Sequence, residues 1–360
     1  MKPKQILILG MIFGVLAMGI LLKTWVRFAG ERENSSQRTG AALANFDSAK
    51  VERILVSRGA ETEPVELARE NGVWKVKSLW NAPANSEKVD KLIGQLILAR
   101  GELRGTGKEL FKDFGIDDTD SFSIKCLGTG DVPLLDLRVG AKKDGAGGSF
   151  IRKSGSADVY RVEGDLPESL GIFMDLETAK PSGDFWVDLR LFNLDPEKVT
   201  KIQIYLAKGT EQNMVAGLVR EVDPKDPAQS TWKFLRQEMR LPLDSDKVVK
   251  FIATMNSVRA EKVVAPDGTK YGLEKPVWQL IVTENNAKQI LKSGTKSAEG
   301  DCYYVKSSAD GSVFSLKSSF FDDLNVDDTH FVKEVALPGF AKVPPKESGT
   351  GLPDGPAQTS

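Results

Sequence analysis

The chain has 360 residues, with 49 Lys+Arg against 50 Asp+Glu and 41% hydrophobic residues. That is enough for two ordinary domains with buried cores, and a net charge of −1 excludes a protein that wraps nucleic acid with a basic face. Two cysteines and a single histidine, His330, exclude a disulfide framework, a Cys-rich zinc site and any His cluster, and leave a Ser-His-Asp triad only with His330 as its base.

In chain order, Ile6 to Leu22 is an uncharged apolar run. Its length as a helix is roughly 25 Å, against a hydrocarbon core of about 30 Å. Trp25, Val26 and Phe28 extend it around Lys23 and Arg27, which can snorkel while Trp25 sits at the interface. The alternative is a signal peptide cleaved near Ala17-Met18-Gly19, but apolar residues continue past that point. Residues 1–28 are therefore expected to be a short cytoplasmic head and transmembrane anchor, contacting the bilayer through residues 6–28. The bulk of the chain is expected outside the cytoplasmic membrane. Residues 29–45 are small and polar and read as a stalk.

Beyond the stalk the sequence repeats itself. Val51, Ile54 and Val56 recur as Val199, Ile202 and Ile204, and Trp74 recurs as Trp232. Pro83 to Val89 recurs as Pro242 to Val248, and Phe114-Gly115-Ile116 as Tyr271-Gly272-Leu273. Gly140, Phe150 and Tyr160 recur as Gly294, Tyr304 and Phe314. Ordered blocks of this kind indicate two copies of one module. The expected layout is a first module over 46–180, a bridge over 181–197, a second module over 198–337 and a Pro/Gly-rich disordered tail over 338–360.

Each module contains one stripe at helical spacing: Val89, Leu92, Ile93, Leu96 and Ala99 over 86–100, and Val248, Phe251, Ile252, Met255 and Val258 over 245–260. Asn85 or Ser86, and Asp244 or Ser245, are the candidate N-caps. Strands are expected at 50–58, 63–69, 73–78, 121–127, 133–140, 148–153 and 158–162. Their counterparts are expected at 198–206, 213–222, 231–236, 277–284, 287–292, 301–306 and 312–317. One long helix per module cannot supply crossovers for all these strands. The fold class is therefore α+β: two tandem repeats of a mainly antiparallel sheet packed with one long helix, preceded by a transmembrane helix.

This ordered pattern, including the Phe185-Trp186-Val187-Asp188-Leu189 bridge into the second copy, resembles domain-of-unknown-function family 4340 over roughly residues 5–337. The second copy departs from the first in carrying Cys302 in place of Gly148 and in lacking the glycine turn of 145–148. The resemblance carries over no catalytic residue. It implies a membrane-anchored extracytoplasmic protein of a kind often encoded beside a gliding-motility-type ABC transporter, with transporter subunits as expected membrane partners.

Candidate sites are few. Asp323, Asn325, Asp327 and Glu334 fall at positions 1, 3, 5 and 12 of a calcium loop, but position 6 is Asp328 instead of glycine, so a solvated acidic loop is the stronger reading. Ser293-Gly-Thr-Lys296 matches a Ser-x-x-Lys nucleophile without its companion motifs and reads as a turn. Gly145-Ala-Gly-Gly148 lacks a P-loop's lysine and helix start and reads as a hairpin tip. Trp74 and Trp232 occupy equivalent positions and read as core, and Cys126 and Cys302 as buried thiols. Trp80 and Trp278 lack counterparts and are the candidate partner-binding side chains. No motif calls for a cofactor, a metal or a nucleic acid. The expected role is a non-enzymatic adaptor; the alternatives are a hydrolase working through paired carboxylates and a glycan- or lipid-binding module.

Overall fold

The computed structural model describes residues 41–334, apart from 45, 60–62, 144–146, 209–210, 223–229, 237, 240, 268–269 and 299. The expected anchor, the tail and residues 145–146 of the glycine turn lie outside the described residues. Among the described residues no helix is long and apolar enough to cross a membrane.

The first sheet comprises β1 (Ala41–Ala42), β2 (Arg53–Arg58), β3 (Val65–Glu70), β4 (Val73–Val76), β5 (Ala82–Pro83), β6 (Arg100–Thr106), β7 (Phe122–Leu127), β8 (Pro133–Lys143), β9 (Gly148–Lys153) and β10 (Asp158–Glu163). The second comprises β11 (Val199–Lys208), β12 (Glu211–Val222), β13 (Ser230–Phe234), β14 (Lys262–Val264), β15 (Trp278–Glu284), β16 (Ala287–Lys296), β17 (Cys302–Ser307) and β18 (Val313–Lys317). Their spatial orders are β1-β6-β10-β9-β8-β7-β2-β3-β4-β5 and β13-β12-β11-β15-β16-β17-β18-β14. Read backwards, the second order reproduces the run from β6 to β4 strand for strand. Every neighbouring pair is antiparallel. The fold is thus α+β with two antiparallel sheets.

Helix α1 (Ser86–Leu98) buries Val89, Leu92, Ile93 and Leu96, and α2 (Ser245–Ser257) buries Val248, Phe251, Ile252 and Met255. Each such side chain contributes on the order of 1.5–3 kcal/mol by leaving water. Asn85 caps α1 by accepting from the Lys88 N–H at 3.1 Å. Asp244 caps α2 by accepting from Asp246 and Lys247 at 3.0 and 3.4 Å, so a short polar side chain in extended backbone satisfies amides the helix leaves open.

The bridge is a structural element of both modules. The Asn85 N–H donates to Trp186 O at 2.6 Å and the Asp188 N–H to Pro83 O at 2.8 Å. In the second module the Asp244 N–H donates to Phe331 O and the Lys333 N–H to Pro242 O, each at 2.8 Å. Each module is therefore closed by a latch laid across the strand that enters its helix, with Trp186 and Phe331 as the buried plugs. The next residues of the bridge serve the second module: Leu189 O accepts from the Ala260 N–H at 2.9 Å, and Arg190 forms a bridge with Arg259. On the first sheet the corresponding contact is Ala42 with Arg100. Residues 41–44, expected at the end of the stalk, are accordingly part of the packed unit, with Leu43 and Ala44 buried. Buried side chains of both modules join in one core.

Four strands lay outside the sequence expectation: β1, β5, β6 and β14. The first, second and last have only two or three residues, and β6 (Arg-Gly-Glu-Leu-Arg-Gly-Thr) has no apolar alternation. Gly101 within β6 is required by close packing, because an added Cβ would lie 2.7 Å from a Leu43 methyl and 2.9 Å from the Tyr160 Cβ.

The repeated glycines of β8 and β16 have a shared physical cause. The Phe114-Gly115 and Tyr271-Gly272 turns press backbone against these strands, with Ala141 N–H donating to Gly115 O and Thr295 N–H to Tyr271 O. A Cβ at Gly140 would sit 2.7 Å from Phe114 O, and one at Gly294 would sit 1.9 Å from Tyr271 O. Gly294→Ala is expected to cost about 3 kcal/mol and to lower the thermal midpoint by roughly 6–12 °C. Gly94→Ala, where nothing lies within 4 Å in the middle of α1, is expected to be neutral or stabilising by up to about 1 kcal/mol. Thermal unfolding of the two variants checks both.

Candidate functional site

Trp278 is fully buried, at 0% exposure, which corrects the expectation that it is available to a partner. It opens the inward alternation Trp278, Leu280, Val282 of β15 and packs against Phe321 at 5.1 Å between ring centres. It also has a counterpart. Phe122 pairs across from Arg58 as Trp278 pairs across from Leu206, at equivalent places in the two sheets. Trp74 and Trp232 are core residues, as expected.

Trp80 is 50% exposed. It follows the single helical turn Lys77–Leu79 and adopts left-handed backbone, φ 53° and ψ 33°. Asn81 follows at φ 60°. Asparagine tolerates that region, but a bulky aromatic there stores strain of about 1–3 kcal/mol. Trp80 faces a small cleft between the modules. The opposite wall consists of Val263, Val264 and Pro266 from and after β14, and of Asp310, Ser312 and Val313 leading into β18. Asp310 accepts from the Ser312 N–H at 2.7 Å, which shapes the turn.

The proposed calcium ligands are not assembled as a loop. Asp323 lies within the helix Ser318–Leu324 and Asn325 ends it. Asp327 caps the next turn by accepting from the Thr329 N–H at 2.9 Å, and Glu334 is exposed. Among the described residues no group of three or more acidic, His or Cys side chains is arranged to hold a metal ion. The buried acid in this stretch is Asp328, which accepts from the Gly217 N–H at 2.9 Å and from Arg236 at 2.6 Å and so ties the second latch to β12. His330 packs its ring against Phe331 and Phe251, at 4.9 and 6.3 Å. Partial burial, with the Lys247 ammonium adding to it, lowers its pKa against the opposing pull of Asp327.

Ser293 and Lys296 lie in strand β16 and not in a turn. The Ser293 hydroxyl is buried and donates to Gly294 O at 3.3 Å, while the Lys296 ammonium sits 5.3 Å from the Tyr303 ring centre. This pair is part of the sheet and not a nucleophile with its base.

Two buried arginines escaped the sequence reading. Arg58 donates to Leu176 O and Ala179 O at 2.6 and 2.8 Å and also to Glu177 O, fixing the loop that presents the exposed Phe173 and Met174. Arg152 donates to Ile116 O at 2.8 Å and pairs with Asp118. Burial opposes the Asp118 charge, but hydrogen bonds from Arg138 and Arg152 outweigh it and hold the carboxyl below its ordinary range. A single arginine in an alternating strand gives no sequence signal for such a role.

A family profile, described as a domain of unknown function (DUF4340), matches residues 74–234 and again 232–343. The chain belongs to the DUF4340 family. The two matches start at or near the equivalent tryptophans Trp74 and Trp232, so the DUF4340 unit is offset from the sheets: its first match runs from β4 through the bridge to β13. The bridge that closes one sheet and opens the next lies inside it. Searches of curated proteins and of solved structures give no match to the DUF4340 chain.

The thiols differ in environment. Cys126 is fully buried in β7, at the place Val282 fills in β15, and burial pushes its pKa up to about 12. Cys302 is only partly buried, unlike the expectation for it. Because thiolate is the reactive form, a maleimide is expected to label the native protein once, at Cys302, and to reach Cys126 only on unfolding. Peptide mapping of the labelled protein checks this; two labels on the native protein would contradict it.

Proposed function

We propose that the chain is a membrane-anchored extracytoplasmic adaptor, held at the outer face of the cytoplasmic membrane by residues 6–28 and serving as an accessory component of an ABC-transporter-linked complex. The observation that carries this reading is where the repeated residues go. The paired tryptophans, the helix stripes, the caps and the turn glycines all serve packing or closure. Among the side chains that stay exposed is a strained aromatic without a matching tryptophan in the other copy, Trp80, at the junction of the two modules. An exposed aromatic in a rigid cleft suits recognition by contact. A tether confines such a surface to the membrane plane and raises its effective concentration for membrane partners.

The alternatives have less support. A carboxylate-based hydrolase needs two acids facing one cleft, and among the described residues Asp310 is the one acid lining the cleft beside Trp80. A glycan or lipid platform shares Trp80 with the adaptor reading.

Two measurements test the proposal. Removing residues 1–28 is expected to leave a folded protein that no longer sediments with membranes; persistent membrane association would contradict the assigned anchor. Crosslinking the full chain in native membranes is expected to recover transporter subunits, and recovery of none would overturn the adaptor reading.

A further inference from the structure

The first module carries a loop that the second does without. Residues 164–185 join β10 to the first latch, and the shorter stretch 318–330 joins β18 to the second. The second connection opens with the helix Ser318–Leu324, which buries Phe321 and Leu324. The first continues past the single turn Leu166–Ser169 into a loop fixed from within. The Thr178 and Ala179 N–H groups donate to Asp175 O at 2.9 and 2.8 Å, and a Cβ at Gly171, φ 83°, would lie 2.5 Å from Cγ of Phe185. The buried Arg58 guanidinium holds the loop through the carbonyls of Leu176, Glu177 and Ala179. Leu206 fills the place of Arg58 in the second sheet, so the fold itself accepts an aliphatic side chain there. A guanidinium is costly to bury unless its donors are used, and these are committed to the loop.

Ile172 and Leu176 are buried, while Phe173 and Met174 between them are 59% and 78% exposed. The Phe173 ring meets Phe185 of the latch edge-on, at 6.1 Å. Residues 164–184 carry Asp165, Glu168, Asp175, Glu177 and Asp184 against Lys180 alone, and all of these but Asp165 are exposed. The neighbouring Lys88 ammonium is committed to Phe185 O at 2.6 Å. We infer that this loop is a docking knob whose Phe173 and Met174 enter an apolar pocket of a partner protein, rimmed by lysine or arginine. A pre-positioned aromatic and an adaptable thioether ringed by charge have the anatomy of an interface hot spot, and the acidic rim selects a basic counterpart. The same rim disfavours an anionic lipid leaflet, which attracts basic segments. The inference deepens the adaptor reading and rests on it, since it names the surface by which the adaptor grips its partner.

The test places the photo-crosslinking residue p-benzoylphenylalanine at position 173 of the full chain and irradiates native membranes. Mass spectrometry of the adduct is expected to find a protein segment with lysine or arginine beside the crosslinked apolar residue. Combining Glu168→Lys with Glu177→Lys is expected to cut the adduct by about fivefold, and Met174→Ser to cut it similarly. These three side chains are exposed, so the variants are expected to keep the wild-type unfolding temperature. The same crosslinker at position 98, where Leu98 is 76% exposed on α1, is expected to give no such adduct. Adducts to lipid alone or to an acidic segment, the same adduct from position 98, a yield unchanged by the charge reversal, or no adduct at all would overturn the inference. Crosslinking through surface lysines separates the two claims. Transporter subunits recovered that way, while position 173 captures no protein, would leave the adaptor reading standing and remove this surface from it. Recovery by neither route would remove the adaptor reading itself.

Discussion

Residues 183–194 hydrogen-bond to both modules at once, and the rest of the architecture depends on that sharing. Trp186 O and the Asp188 N–H satisfy backbone groups beside the N-terminus of α1, and Leu189 O satisfies the Ala260 N–H just beyond the C-terminus of α2. Leu194 is further held by Asn256, which accepts from its N–H and donates to its carbonyl, each at 2.8 Å. A linker with its own solvent-facing backbone would leave the modules free to move. This one is stitched on both sides, with Trp186, Val187, Leu191, Phe192 and Leu194 buried in a core common to both sheets. The second module repeats the closing half of the device through Phe331, Val332 and Lys333.

The same commitment brings the modules together where Trp80 is exposed. Turning the bridge toward Pro83 closes the first module, and Trp80 lines a small cleft with Val263, Val264 and Pro266 of the second. The strain at Trp80 is tolerated because the surrounding elements over-determine its backbone. Leu79 is packed against the common core, and its side chain leaves no room for a Cβ at Gly183 of the latch.

Much of the fold was legible in the sequence because two copies report the same positions twice. The helix stripes, the caps at Asn85 and Asp244, the paired tryptophans and most strands follow from local spacing and composition. What escaped is what depends on tertiary contact. Strand β6 carries no alternation, since its burial rests on Gly101 under Leu43. Trp278 lacked a matching tryptophan, yet Phe122 fills the same place in the other sheet; comparing residue identity concealed an equivalence that pairing register exposes. The acidic run at 322–328 reads as a loop by composition, while packing of Phe321 and Leu324 draws its first three residues into a helix. The cleft itself was half legible. Trp80 stood out as an unmatched aromatic, but β14, which supplies part of the facing wall, is only three residues long.

The central claim is that the two modules form one cooperative unit through the shared bridge, and hydrogen exchange of Trp186→Ala in the full chain tests it most directly. Emptying this plug is expected to cost about 3–5 kcal/mol, and the account predicts that amides of β11, β12 and β15 lose protection together with those of β2, β7 and β8. Loss confined to the first sheet, with the second as protected as in the wild type, would show that the bridge tethers two independent domains and would contradict the account.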